Sequence, residues 1–440
     1  MDQNTSQRQQ VYAWGRLQPR GHVIVPASFA DEMVAAIRAS DQRPLLCRGL
    51  GRSYGDVALN GDGYLLDTTR ADHFLAADWE AGVVRAEAGL SLDALLRACV
   101  PRGWFLPATP GTKFVTLGGA VANDVHGKNQ ESAGTIGCHV RRICLARSSG
   151  EVLELSAGEP LFAATIGGLG LTGVIVWVEL SLLPIRSATM QVETLAMAGL
   201  DDFFRLSAES ADWPYTVSWV DSLARGPALG RGLFIRGRHA ETGALAAHGA
   251  PRFTVPHAAS YLLNRGTISL FNFFYRTRPW VTGRTIMHYD RFFYPLDSLS
   301  DWNRLYGGRG FFQHQSVVPM KNAPETVRSL LELCAERGEP SFLAVLKVLG
   351  DRASPGLLSF PKSGVTLALD LANRGEGTRR LLDRMADLVV AAGGRLYPAK
   401  DATMSGEAFR AGYPAWRELE QHRDPAIMSD FWRRVTADAA

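Results

Sequence analysis

Hydrophobic and polar positions along this chain switch repeatedly between helical and strand periods. Ala30 to Ser40 has helical spacing, with Met33, Val34 and Ile37 along one face. Val23 to Pro26, Pro44 to Cys47, Tyr64 to Asp67 and Val83 to Ala86 read as short strands. Ser91 caps a predicted helix, LDALLRACV, that stops before Pro101. His139 to Ala146 and Glu151 to Leu155 predict two strands joined at Ser149-Gly150. Pro160 to Ile166 predicts a helix, and Val174 to Leu183 a strand that closes the unit. The pattern is an α+β alternation with many short strands and no clean βαβ repeat.

From about Ile185 aromatic residues become frequent, strands lengthen and glycine-rich loops thin out. Ala188 to Met197, Tyr215 to Val220, Phe342 to Leu349 and Gly364 to Leu371 read as strands. Phe311 to Pro319 (FFQHQSVVP) alternates, placing Gln313, Gln315 and Val317 on one strand face. Pro324 to Glu336 and Arg379 to Ala392 predict helices, the second ended by Gly393-Gly394. Arg252 to Trp280 contains no acid and reads ISLFNFFYRTRPW in part. It is compatible with a surface that meets a bilayer or a polyprenyl tail, and equally with a loop packed on its own domain.

A chain of 440 residues suggests two domains. With 47 basic against 44 acidic residues the net charge is only +3, far from a nucleic-acid-binding footprint. The polar start, MDQNTSQRQQ, has no apolar signal core, so no secretory signal is expected. The most apolar run, Gly168 to Pro184, is short, interrupted by Glu179 and rich in β-branched residues, which favours a buried strand over a membrane span. The five cysteines are scattered without CxxC spacing, so neither a disulfide framework nor a metal site is indicated.

Candidate chemistry concentrates in three glycine-rich stretches. RGLGRSYGD, residues 48–56, follows a predicted strand and lets several backbone N–H groups converge on an anion. PGTKFVTLGGAVANDVHGKNQESAGTIG spans Pro110 to Gly137 and sets a few polar groups among many tiny side chains. GGLGLTG spans residues 167–173. The spacing of RGLGRSYGD does not match the G-x-G-x-x-G nicotinamide-dinucleotide fingerprint, and no helix clearly begins at its end. Lys347, in FLAVLKVLG, is a charge in an apolar strand, costly to bury unless a phosphate or an acid pairs with it.

These loops, taken with FYPLDSLSDWNRLYG (293–307), FFQHQ (311–315), LSFP (358–361) and GGRLYPAKD (393–401), resemble the vanillyl-alcohol-oxidase (p-cresol methylhydroxylase) superfamily of flavoproteins. Within that superfamily the similarity is to oxidases of polyprenylphosphoryl ribose. The motifs run nearly end to end in the family's order. The resemblance implies an α+β fold: a two-subdomain, PCMH-type FAD-binding domain, residues 1–186 and 394–440, and an α+β substrate domain on a large antiparallel sheet, residues 187–393.

The resemblance also implies site residues. The pyrophosphate loop would include Arg48, Gly49, Leu50, Gly51, Arg52, Ser53, Tyr54 and Gly55. Gly111, Thr112, Thr116, Gly119, Asn123, Asp124, Val125 and His126 would line the flavin and its linker, with Ile175 and Tyr397 completing the site. Arg52 stands where relatives tether FAD through a histidine, which implies non-covalent FAD. Lys400 and His126 are the implied catalytic residues, Lys400 as base or alkoxide stabiliser. Lys128, Trp219, Gln313, Gln315, Lys347 and Ala368 are implied to meet substrate, Ala368 replacing a family cysteine. On the residues alone, a lysine placed like Lys400 is more often a solvated strand-end residue, and His126 is often only a backbone orienter. The glutamine pair reads equally as a solvent face, and Trp219 and Tyr294 are core aromatics by default.

The implied reaction is FAD-dependent oxidation of the 2′-hydroxyl of a polyprenylphosphoryl-β-D-ribose to the 2′-keto sugar, the first half of an epimerisation to arabinose. An alditol or aldonolactone oxidase on a free sugar, or a non-catalytic flavin electron-transfer subunit, are the rival readings. The implied partners are the lipid-linked sugar phosphate, a separate NAD(P)H-dependent keto-reductase and a membrane surface, and the expected location is cytoplasmic, peripheral at the inner face of the membrane.

Overall fold

A computed structural model describes residues 8–39, 44–61, 63–251, 253–256, 264–277 and 282–437. Near the start of the chain, Arg20–Pro26 and Leu45–Arg48 both pair parallel with Tyr64–Asp67, and Gln9–Val11 adds an antiparallel edge. The helix Ala30–Arg38 therefore lies in a crossover between parallel strands, where the sequence had suggested no βαβ unit. The strands are too short for periodicity to reveal their direction. Burial of Met33 and Ile37 shows the helix face expected from their spacing; Ser40 lies outside the described residues.

A second sheet is antiparallel, in the order Phe74–Asp78, Val83–Glu87, Val174–Ser181, Val140–Ala146, Val152–Ser156. Its central strand, Val174–Ser181, buries its first five residues in succession, as a strand covered on both faces must. No described helix is long and apolar enough to cross a membrane. Leu92–Cys99 is a helix whose Ser91 side chain accepts from Ala94 N, the expected cap.

The large sheet has eight antiparallel strands, ordered Gly283–His288, Thr189–Met197, Gly232–His239, Tyr215–Val220, Ser341–Leu349, Gly364–Ala372, Phe311–Val318, Arg395–Leu396. The helices Ala323–Arg337 and Glu376–Ala391 bury Leu330, Leu331, Leu381 and Met385 in the core cluster that holds Leu346, Leu367 and Leu369 of the sheet. Pro324 opens the first of these helices, and Gly338 at φ 63° ends it. All eight residues of Phe311–Val318 are buried, so the glutamine pair does not face solvent. The edge strand Arg395–Leu396 brings the tail back to this sheet, and Lys400 follows shortly after it.

Arg265–Thr277 is a helix rather than a loop. It buries Ile268 and Asn272, and Asn272 donates to Asp221 Oδ1 at 2.7 Å. Phe271, Phe273, Phe274 and Tyr275 are described; Arg252, Arg278 and Trp280 lie outside the described residues.

Candidate active site

The three glycine-rich stretches and the large sheet enclose a cavity of about 510 Å³. One wall comes from Gly49 to Tyr54, Pro110 to Thr112, Thr116, Gly118, Gly119, Asn123, Val125 and His126, with Gly170, Gly173 and Ile175 beside them. The opposite wall is the sheet, through Gln313, Gln315, Val345, Lys347, Thr366 and Ala368, and Tyr397 and Lys400 close it. Alternation explains the sheet wall. Gln313 lies opposite Asp370, and Gln315 opposite Ala368, so every second residue of adjoining strands shares one face.

The glycines fall into two kinds. A Cβ on Gly49 would lie 2.2 Å from Thr116 Oγ1, and one on Gly118 would lie 2.7 Å from Ala88 Cβ, so these positions let the wall segments interlock. A Cβ on Gly111 or Gly170 would meet nothing within 4 Å, although both line the cavity, so a side chain there would occupy the cavity itself. Thr116 Oγ1 also accepts from Gly119 N at 3.2 Å, holding the turn into Leu117–Ala122.

Charge is concentrated at the far end of the cavity. Lys400 Nζ lies 3.8 Å from the centroid of the Tyr54 ring. Gln315 Nε2 and His126 Nε2 are 3.4 Å apart, and Lys347 Nζ donates to Gly127 O at 3.4 Å. Burial, then the Lys347 and Lys400 charges, hold His126 well below the usual histidine range, so its imidazole is neutral near pH 7. Burial pushes Lys347 down to about 8. It lowers Lys400 too, against the opposing pull of Asp370.

The remaining candidates from the sequence lie outside the cavity lining. Arg48 donates to Tyr12 O at 2.8 Å and Ala58 O at 3.0 Å, bracing its loop from behind. Gly55 packs so closely on Asp401 that a Cβ would sit 1.7 Å from its carbonyl oxygen, which ties RSYGD to LYPAKD. Asp124 is fully buried and accepts from Gly137 N, Ser354 and Ser359. Lys128 Nζ donates to Phe293 O at 3.0 Å, and burial pushes it down to about 7. Trp219 packs against Tyr275 with ring centroids 4.9 Å apart, and Tyr294 shares a 2.6 Å hydrogen bond with Thr109.

The cavity also takes in Trp14, Asp297, Asp301 and Trp302, which received no role in the sequence analysis. The Arg52 guanidinium stacks on Trp14 at 4.0 Å, and Arg52 Nε donates to Phe114 O at 3.1 Å. Trp14 N donates to Ser53 O and Gly15 N to Tyr54 O, so this segment clasps the glycine loop. The available signal was the Trp14-Gly15 pair, since a Cβ on Gly15 would lie 2.6 Å from Tyr54 O.

A large anionic cofactor fits these walls. Glycines keep side chains out of the cavity, the loop Gly49 to Tyr54 contributes no acid, and Asn123 Oδ1 and His126 Nδ1 are buried without a protein partner. Residues 21–156 match the FAD binding domain family. The chain is 34% identical to the decaprenylphosphoryl-beta-D-ribose oxidase of Mycolicibacterium smegmatis, covering 96% of each protein. It is 33% identical to an uncharacterized protein of Streptomyces coelicolor, over 79% of this chain and all of that one. A D-lactate dehydrogenase of Anaerostipes hadrus is 28% identical over 41% of this chain and 39% of its own length. The chain is therefore an FAD-dependent oxidoreductase of the vanillyl-alcohol-oxidase type, and it belongs to the decaprenylphosphoryl-β-D-ribose oxidase family.

Proposed function

We propose that this chain oxidises the 2′-hydroxyl of a polyprenylphosphoryl-β-D-ribose, or a similar lipid-linked pentose, to the 2′-keto sugar. The observation that carries this reading is the grouping of Lys400, Tyr54, His126, Gln313, Gln315 and Lys347 around one end of the cavity, in a chain that matches the ribose oxidase over 96% of its length. Bound FAD supplies the hydride acceptor. Lys400, desolvated and half neutral near its lowered pKa, takes the hydroxyl proton as the C–H bond breaks. Neutral His126 and the two glutamine amides offer hydrogen bonds to the sugar. The Lys347 ammonium suits the phosphate, a ligand that a free alditol or lactone lacks.

Residues 1–186 with 394–440 hold the cofactor, and residues 187–393 the substrate. FAD is held without a covalent bond, because Arg52 cannot form the link a histidine would; yellow colour that stays with acid-precipitated protein would overturn this. The helix Arg265–Thr277 supports a lipid-facing surface beside the site. Leu270, Phe273 and Phe274 are 58%, 54% and 58% exposed, and the residues between 252 and 280 include no acid. The chain then works against the inner face of the membrane. The keto sugar passes to a separate NAD(P)H-dependent reductase that completes epimerisation.

Anaerobic mixing with a panel of free and polyprenylphosphoryl pentoses tests the function. Bleaching of the flavin by the lipid-linked ribose and not by free sugars is expected, with loss of bleaching but retention of FAD in Lys400→Met. Bleaching by free alditols or lactones alone would overturn the substrate assignment, and none by any sugar would favour an electron-transfer subunit.

A further inference from the structure

Asp370 is a buried acid with no place in the reaction described so far. It lies on Gly364–Ala372 one step beyond Ala368 on the cavity-facing side, under the end of the pocket rather than in its lining. The carboxyl is fully buried. Gln313 Nε2 donates to Oδ1, and the buried Tyr306 hydroxyl is the other hydrogen-bonding group that faces the carboxyl. The backbone N of Asp370 donates to Ser341 Oγ at 2.9 Å, which leaves the side chain little freedom.

A carboxylate away from water, held only by neutral donors, is costly unless positive charge lies close by. The groups facing it come from several elements. Gln313 and Tyr306 flank it, and both are neutral. Tyr54 lies beyond, from the glycine loop, with the Lys400 ammonium on its ring. Burial and the Lys347 charge push Lys400 towards its neutral form, and the neutral His126 adds no charge of its own. Asp370 is the acid that opposes them. Asp297 and Asp301 act elsewhere: Asp297 accepts from Lys113 N at 2.8 Å, and both bear on Arg52.

We propose that Asp370 is the positioning residue of the oxidation site, the buried counter-charge that governs when Lys400 holds its proton and the acceptor that turns the Gln313 amide towards the substrate. It rests on the reading of Lys400 as the group that receives the hydroxyl proton. When Lys400 takes that proton it becomes an ammonium over the Tyr54 ring, opposed by the Lys347 charge, and the Asp370 carboxylate stabilises it there. Burial raises the Asp370 carboxyl to about 7 and lowers Lys400 to about 8, so each group's proton depends on the other's.

The experiment measures the pH dependence of Lys400 acetylation by a small anhydride, read by mass spectrometry on the FAD-loaded protein, alongside the pH profile of kcat/KM. In Asp370→Asn the labelling midpoint is expected to move to lower pH by roughly one unit or more, because removing a neighbouring anion favours the neutral amine. The matching limb of the kcat/KM profile moves the same way, whichever form of Lys400 is active. Asp370→Glu keeps the charge and should hold the midpoint near the wild-type value even where kcat falls. Asp370→Ser serves as the neutral variant if Asp370→Asn does not retain FAD. A midpoint unmoved in the neutral variants, with activity or stability reduced, would overturn the proposal and leave Asp370 a structural residue. A shifted midpoint beside an unmoved kcat/KM profile would instead fault the role given to Lys400, and labelling needs no substrate, so it stands even if no pentose bleaches the flavin.

Discussion

Lys400 Nζ rests over the face of Tyr54, 3.8 Å from its centroid, although the two residues come from opposite ends of the chain. The backbone makes the same connection, since Tyr54 N donates to Ala399 O at 2.9 Å. The glycine loop and the tail are therefore one structure at the site. A cation on an aromatic face that is kept from water gains about 2 kcal/mol. Tyr54→Leu removes that face and should lower the rate of flavin reduction by roughly tenfold or more with FAD saturating. Tyr54→Phe keeps the ring and should stay close to wild type. Rapid-mixing absorbance measures both, and equal losses in the two variants would mean that the hydroxyl, not the ring, matters.

Lys347 is pushed down to about 8 by burial, so its charge, and with it any grip on phosphate, should fade as the pH rises through that value. Affinity for a polyprenyl phosphate should weaken by up to about tenfold per pH unit above it, with proton uptake on binding near pH 8. Lys347→Met should bind weakly at every pH. In the unliganded protein the sign is set by a folded pKa of about 8 against 10.5 for a free lysine: unfolding takes up a proton between these values, so this group makes the fold more stable as pH rises across that window. Ligand titrations by flavin fluorescence, and melting in the same buffers, check the two parts.

Asp124 joins two loops that the sequence keeps far apart. Its carboxyl collects hydrogen bonds from Gly137 N, Ser354 and Ser359, and its own backbone is held at φ 41°. Asp124→Ala would strand those donors in the interior, a loss of about 2–4 kcal/mol. Chemical denaturation should show it, together with weaker FAD binding, because Asn123 and His126 lie on either side. Full stability in the alanine variant would remove the clasp as an explanation of this residue.

Ala368 lines the cavity opposite Gln315 and carries no nucleophile. Cys47 also lines the cavity, but burial pushes its thiol up to about 12. Thiol-directed electrophiles sized for the cavity should therefore leave the wild-type site unmodified, whereas Ala368→Cys should acquire a covalent adduct there by intact-mass measurement. Oxidation of the substrate should continue in both, since hydride transfer uses no group of this side chain. Adduct formation at another cavity residue of the wild type would contradict the prediction.

The parts of the fold that were legible from the sequence are those whose pattern is local. Ser91 before an apolar run predicts the cap it makes, and the alternation of FFQHQSVV predicts a strand with both glutamines on one side. The strand Gly232–His239 was missed because Arg236, Gly237 and Arg238 break its apolar pattern. It forms because Thr189–Met197 and Tyr215–Val220 flank it, with Arg236 Nη2 donating to Glu193 at 2.7 Å. The helix Arg265–Thr277 was obscured for the opposite reason. Ile268, Phe271, Asn272 and Tyr275 have helical spacing, but Leu270, Phe273 and Phe274 make the outer face apolar as well.

The sequence by itself determined that glycine-rich loops recur through the first half, that a lone lysine interrupts an apolar strand, and that the tail carries LYPAKD. Those are statements about residue type and spacing, and the resemblance they carry implies the cofactor class. Only the tertiary structure decided which polar groups share a cavity. It drew Asp124, Lys128 and Trp219 away to partners of their own, brought Trp14, Asp297 and Asp301 in, and put Asp370 against Gln313 of the cavity wall. The physical reason is that charge and hydrogen bonding act across a few ångströms of space, and sheet pairing between distant segments sets those distances.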